Sequence, residues 1–222
     1  MPGVLEWLGA RDSFEIVQIG AFVGASGNDP LWRFMRAQAE RDDGSVALFV
    51  EPVRSFFEEL VRNYEGLPFA RFENVAVAEA PGTRDLYRLA VDPVAHGFPP
   101  WMAQLGSLRE DWADLWEARD GQGPRHEFYR EHRTVERVEC ITFDQLIDRN
   151  GILSLDLLQL DTEGYDYEIL RTVDFERIRP RFVNYEREWL GADEEACRAM
   201  MREAGYALFD WGHDTLCVLV AA

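Results

Sequence analysis

Acidic side chains at the ends of apolar runs are the residues best suited to chemistry in this chain. The stretch LLQLDTEGYDYEIL puts Asp161 at the end of a strand-like run, with Glu163, Asp166 and Glu168 just beyond it. Carboxylates so placed are candidate general bases, able to take the proton of a reacting hydroxyl. They equally suit the first turn of the next helix, where each complements the helix dipole by about 0.3–1 kcal/mol, and the two roles are compatible. Glu51 ends a second run, SVALFVEP, and an acid there can accept hydrogen bonds from both hydroxyls of a ribose. Exposed acids at strand ends are common without any ligand, so Glu51 gains meaning only from its neighbours.

One such neighbour is a glycine turn. Gly20-Ala21-Phe22-Val23-Gly24 follows the run FEIVQI and reads GxxxG, not the GxGxxG of dinucleotide enzymes. A dinucleotide needs bare backbone against its pyrophosphate at a helix N-terminus. S-adenosylmethionine has no phosphate and offers an amino-acid end, a sulfonium, a ribose and an adenine, so a turn with fewer glycines suits it. A tight strand-to-helix turn without ligand would read the same way. The absence of GxGxxG and of a Tyr-x-x-x-Lys pair weighs against an NAD(P)-dependent or nucleotide-sugar oxidoreductase.

Further candidates for a base are Glu186 and His213, both near strand ends or the final hairpin. Glu186 and Glu188 also flank Arg187 as an ordinary polar strand exit, and His213 beside Gly212 has turn composition. His126 and His132 are six residues apart, not the four that place two zinc ligands on one helical face. Several acids near strand ends could hold Mg²⁺, but no spacing singles out three ligands, so no metal is assigned. Cys140, Cys197 and Cys217 are odd in number and far apart, which suggests apolar filler and neither a disulfide framework nor a thiolate site.

The elements that must hold these residues alternate regularly. Strand signals at 14–20, 45–51 and 72–79 are separated by helical patterns at about 30–41 and 53–64. Asp29 suits an N-cap, with Pro30 at the first helical position. TRDLYRLAV follows the turn Pro81-Gly82 as a hairpin strand. Residues 92–133 interrupt the rhythm with prolines, glycines and aromatics, and read as an insertion with helical pieces, either a cover for a substrate or a satellite apolar cluster. The pattern resumes with strand 135–141, helix 142–150, strand 155–161, helix YDYEILRTV, strand 181–187 and helix 192–205. YALFDW and TLCVLVA, separated by Gly212-His213-Asp214, form an antiparallel hairpin. The expectation is one α/β domain over 1–222, a Rossmann-like, doubly wound and mostly parallel seven-stranded sheet ending in that hairpin.

A formal charge of −18 opposes binding to phosphate backbones and anionic membranes, so nucleic acid and membrane are not the expected partners. No apolar run approaches the ~20 residues of a membrane span and no secretory signal is visible, which predicts a soluble, cytoplasmic protein.

The segments VQIGAFVG, VEP, NVAVAE, GSL at 106–108, and VECITFDQLI followed by LLQLDTEGYDYEIL together resemble the FkbM family of S-adenosylmethionine-dependent methyltransferases, over about residues 14–187. The last two are the most specific, being similar to the family's "V-x-TLD-x-L" and "L-KID-x-EG-x-E-x-x-VL". Gly20, Gly24, Glu51, Asp144, Asp161, Glu163, Gly164 and Glu168 occupy matching positions. The resemblance implies a class I methyltransferase fold and O-methylation of a sugar or natural-product hydroxyl. By the same resemblance Gly20, Ala21, Glu51 and Pro52 line the cofactor, Val75 and Ala76 flank its adenine, and Ser107 and Asp161 lie near its methionine end. Asp161, then Glu163, are the first candidates for the base. Gln18 stands where the family usually has an acid and Phe22 where it usually has Asn, so the cofactor's amino group would fall to Gln18, Asn28 or Asp29. Those departures also admit a second reading, a non-catalytic binding or scaffold protein on a decayed methyltransferase fold.

Overall fold

Short β-branched runs buried on both faces fold as parallel strands, because only crossover helices can then cover the sheet. A computed structural model describes residues 1–26 and 29–220. Along the chain, α1 (Pro2–Gly9) precedes β1 (Glu15–Ile19), α2 (Pro30–Ala37), β2 (Val46–Val50), α3 (Arg54–Asn63) and β3 (Ala70–Glu73). There follow β4 (Ala76–Val77), β5 (Gly82–Leu89), β6 (Gly106–Ser107), α4 (Trp112–Asp120), α5 (Pro124–His132) and β7 (Arg133–Ile141). The last third holds α6 (Phe143–Asn150), β8 (Leu157–Leu160), α7 (Asp166–Leu170), β9 (Phe182–Glu186), α8 (Glu194–Glu203), β10 (Tyr206–Trp211) and β11 (Asp214–Leu219).

Seven strands form the main sheet in the order β10-β11-β9-β8-β1-β2-β3. Pairing is parallel from β9 to β3, and antiparallel for β11 with β9 and β10 with β11. Alternate side chains enter two cores: Val17, Ile19, Leu48 and Val50 pack on one face, Ile16, Ala47 and Phe49 on the other. This is the Rossmann-like architecture the sequence predicts. The chain runs outward from β1 through β2 to β3, then returns to place β8 on the other flank of β1. The strand order therefore reverses between β1 and β8, where open α/β sheets open a crevice.

Three expectations are corrected. Residues 72–79 are not one strand: β3 stays in the main sheet, whereas β4 pairs with β7 in a second, four-stranded sheet of order β4-β7-β5-β6. The cause sits at Asn74, whose Nδ2 donates to the carbonyls of Glu51 (2.8 Å) and Pro52 (3.0 Å) and turns the chain off the sheet. The strand at 135–141 belongs to this second sheet too, antiparallel to β5 from Gly82–Cys140 to Leu89–Arg133. Helix α2 also stops at Ala37, short of the expected 41. The helix α1, unforeseen, adds Val4 and Leu8 to the core around Phe14.

Between β5 and β7 the chain builds an apolar cluster of its own, with Trp112 edge-on to Tyr129 (5.0 Å) and to Trp189 (5.6 Å). His126 is buried beside this cluster, its Nε2 2.9 Å from the Ala113 carbonyl. Among the described residues no helix is long and apolar enough to cross a membrane.

The glycine turn after β1 is held by close packing. Gly24 has φ +71°, and a Cβ there would lie 2.1 Å from Tyr64 Cε2 and 3.0 Å from Leu60 Cδ1. Tyr64 cannot yield easily, being buried and stacked on Phe49 at 4.3 Å. Gly24→Ala is expected to lose about 2–4 kcal/mol, combining overpacking with left-handed backbone strain. Urea unfolding would show this as a lower midpoint at unchanged slope; a loss under about 0.5 kcal/mol would mean that the ring yields.

Candidate active site

The carboxyl ends of β1, β2 and β8 converge on a cavity whose empty space, counted with its open mouth, is about 720 Å³. Its rim is the glycine turn. Gly20 (φ +82°) lies so near the end of β8 that a Cβ would stand 1.8 Å from the Asp161 carbonyl oxygen, so no other residue fits there. The N–H groups of Gly20 and Ala21 both donate to the Val50 carbonyl at 3.0 Å.

Glu51 holds this turn from the next strand. Its Oε2 accepts from the Phe22 N–H (2.9 Å) and its Oε1 from the Val53 N–H (2.8 Å). Burial pushes its pKa up to about 8, against the lowering effect of those two N–H groups. Each oxygen keeps a further lone pair for a ligand. Phe22 sits at φ +47° and sets its ring edge-on to Phe56 at 4.6 Å. Glu51, Pro52, Val75 and Ala76 all line the cavity.

A smaller polar recess of about 330 Å³ adjoins it, lined by Gln18, Ala21, Asp29 and Gln159 among others. Gln18 and Gln159 are register partners on β1 and β8, and the buried Oε1 of each has no hydrogen-bond partner. Gln18 Nε2 approaches Asp29 Oδ2 at 3.4 Å, while Asp29 Oδ1 caps α2 through the Leu31 N–H at 2.7 Å. Burial raises the Asp29 carboxyl to about 6. Gln159 was absent from the sequence expectations, although its signal is there: it is the lone polar residue in the buried run LLQL. Asn28 lies outside the described residues.

Acids gather where β8 and β9 end. One oxygen each of Asp161, Glu163 and Glu186 lies within 4.8 Å of the others. Desolvation, then the charge of Asp166, raises Asp161 well above the usual carboxylate range. Glu163 is raised by desolvation and by Asp161, and Glu186 by desolvation and by Glu163. Glu163 adopts φ +51°, a conformation that costs a non-glycine residue about 1–3 kcal/mol. Asp166 is fully buried but satisfied by the Thr162 hydroxyl (2.8 Å) and backbone N–H (3.3 Å) and by the Glu186 N–H (3.4 Å), and burial raises it to about 6.

Asp161 and Glu163 line the cavity, and Glu186 abuts them. Ser107 and His213 do not reach it. The Ser107 side chain is buried between the cavity-lining Gly106 and Leu108, its Oγ accepting from the Arg109 N–H at 3.1 Å; strand alternation turns it away. His213 is exposed at the tip of the β10–β11 hairpin, with Nδ1 2.8 Å from Glu188. Glu168 and Asp144 serve surface ion pairs with Arg171 and Arg177. Sequence reasoning missed Phe56, Arg88, Leu108 and Tyr165, which also line the cavity. Arg88 and Leu108 come with the second sheet, and no local pattern placed that sheet over the crevice.

The family model of the Methyltransferase FkbM domain matches residues 18–208. No curated protein matches. Among solved structures, the chain is similar to an FkbM methyltransferase from Methylobacillus flagellatus KT, with a TM-score of 0.50 and 11% identity. That alignment covers 93% of this chain and 44% of the other, so the chain spans less than half the length of that relative. A METTL16 methyltransferase domain aligns at 10% identity with a TM-score of 0.43, over 98% of this chain and 79% of the other. A fibrillarin/Nop5p complex aligns at 10% identity with a TM-score of 0.42, over 96% of this chain and 77% of the other. With the glycine turn, the strand reversal and the acid-lined crevice all inside the matched residues, the chain belongs to the FkbM family of methyltransferases.

Proposed function

We propose that the chain uses S-adenosylmethionine to methylate a hydroxyl of a small molecule. One observation carries this reading: a recess with two unpartnered buried amide oxygens lies beside a cavity that opens on Glu51, with Gly20 bordering both. Unpartnered buried acceptors are costly, and the ammonium of an amino-acid end would satisfy them. Gln18 Oε1, Gln159 Oε1 and the Asp29 carboxylate form the donor-seeking set for that ammonium. Glu51 would accept from the ribose hydroxyls, and Pro52, Val75 and Ala76 would bound the adenine. The missing acid at position 18 is then offset by Asp29, which accepts from the Gln18 amide.

S-adenosylmethionine supplies a methyl group on a sulfonium, and transfer breaks the C–S bond as the O–C bond forms in line. Asp161 is the favoured acceptor of the hydroxyl proton, with Glu163 next. A carboxyl raised toward working pH is the better base, and both are raised by desolvation and by neighbouring carboxylates, Asp166 acting on each and Asp161 also on Glu163. Phe56, Leu86 and Leu108 supply apolar wall that excludes water. The acids disfavour an anionic acceptor, so a neutral or cationic small molecule fits best.

Calorimetric titration with S-adenosylhomocysteine should show one site per chain. Absence of binding would overturn this reading in favour of a scaffold on a decayed fold. At pH 8 and above, where Glu51 is ionised, Glu51→Gln should weaken that binding by tenfold to a hundredfold, given about 1.5–3 kcal/mol for a hydrogen bond to a charged group. Free Glu51 holds its proton below about 8 and must lose it to accept two hydroxyls. Wild-type affinity should therefore rise with pH up to about 8 and then flatten, relative to Glu51→Gln, which cancels the ligand's own titration. Gln159→Leu should weaken S-adenosylhomocysteine about tenfold, one hydrogen bond to a charge, yet leave 5′-methylthioadenosine, which lacks the amino-acid end, unchanged. Equal losses for both ligands would remove Gln159 from the ammonium site.

A further inference from the structure

Glu163 and Glu186 each carry a buried carboxylate oxygen, Oε2, that meets no hydrogen-bond partner. Both side chains are partly buried, Asp161 is exposed beside them, and one oxygen of each of the three lies within 4.8 Å of the others. The surrounding acids are already served. Asp166 has Thr162 and the Glu186 N–H, Glu188 has Arg119 and His213, and Asp214 accepts from Asn184 Nδ2 at 2.8 Å. Among the described residues, no arginine or histidine ion pair reaches Asp161, Glu163 or Glu186. Three carboxylates this close, without a counter-charge, repel one another.

We propose that Asp161, Glu163 and Glu186 together bind one hard divalent cation, of the Mg²⁺, Mn²⁺ or Ca²⁺ class, at the wall of the cavity. The donor set is oxygen only, which selects hard cations over zinc or copper. The ligands come from the ends of adjacent parallel strands, β8 and β9, a base more rigid than a surface loop. Asp161 and Glu163 face the cavity, so the open coordination positions face it as well. They would take oxygens of the methyl acceptor, favouring a hydroxyl with a second oxygen beside it, and Asp161 and Glu163 would then act as ligands in place of the base role given them above. This last point rests on the proposed methyl transfer; cation binding does not.

Protein stripped with a chelator and titrated with Mn²⁺ at pH 7.5, followed by the electron paramagnetic resonance of the free ion, tests the site without cofactor or acceptor. The expected result is one Mn²⁺ per chain with a dissociation constant of about 10⁻⁴ M or tighter, displaced by Mg²⁺ or Ca²⁺. Glu163→Gln and Glu186→Gln should each weaken it at least tenfold while keeping the wild-type near-ultraviolet circular dichroism. No binding by folded wild-type protein at millimolar Mn²⁺ would overturn the proposal and mean that protons neutralise the cluster. Equal affinity in both folded variants would overturn it as well, and place the ion elsewhere. Since S-adenosylhomocysteine plays no part in the titration, failure here and failure of the methyltransferase reading are told apart.

Discussion

A single buried carboxylate organises this crevice. Glu51 ties the exit of β1 to the exit of β2 by accepting from the N–H groups of Phe22 and Val53. Without it, two backbone donors beside the cavity would lose their partner, at about 1–3 kcal/mol each. The turn it secures is pressed so hard on β8 that Gly20 admits no side chain. Three parallel strands thus reach the crevice in fixed register, and the groups at their ends inherit that rigidity.

Rigidity is what allows so many acids to share so small a space. Asp161, Glu163 and Glu186 would relax apart on flexible segments, since like charges at this separation repel by kcal/mol. Here they cannot. Gly164 lies so near the exit of β9 that a Cβ would come within 2.9 Å of the Trp189 carbonyl, and Glu163 is left with a left-handed backbone. Strain and desolvation meet at this group of acids, as they do at sites that trade stability for chemistry.

How much of this could be read in the chain depends on where each feature is encoded. Periodicity is local, so β1, β2, β8 and the helices between them were legible, and with them Glu51, Gly20 and Asp161. The second sheet was not: β7 alternates exposed and buried residues as any strand with one solvated face would. Its assignment depends on Asn74, whose two long-range hydrogen bonds turn the chain after β3. Ser107 failed for a related reason, because the side of a strand on which a residue points is fixed only once its pairing partner is known. Gln159 was overlooked in plain view, as one amide inside a buried apolar strand.

Gln159 also changes how the departures from the family pattern look. Gln18 alone, in place of an acid, suggests a weakened site. Paired with Gln159 across β1 and β8 and backed by Asp29, it belongs to a recess with two neutral acceptors and one carboxylate. The carboxylate of this recess sits at the cap of α2 and not on β1. Phe22 follows the same logic: its backbone N–H serves Glu51, and its ring lies on Phe56 as wall. The unusual residues at positions 18 and 22 thus each meet a partner, Asp29 for Gln18 and Phe56 for Phe22.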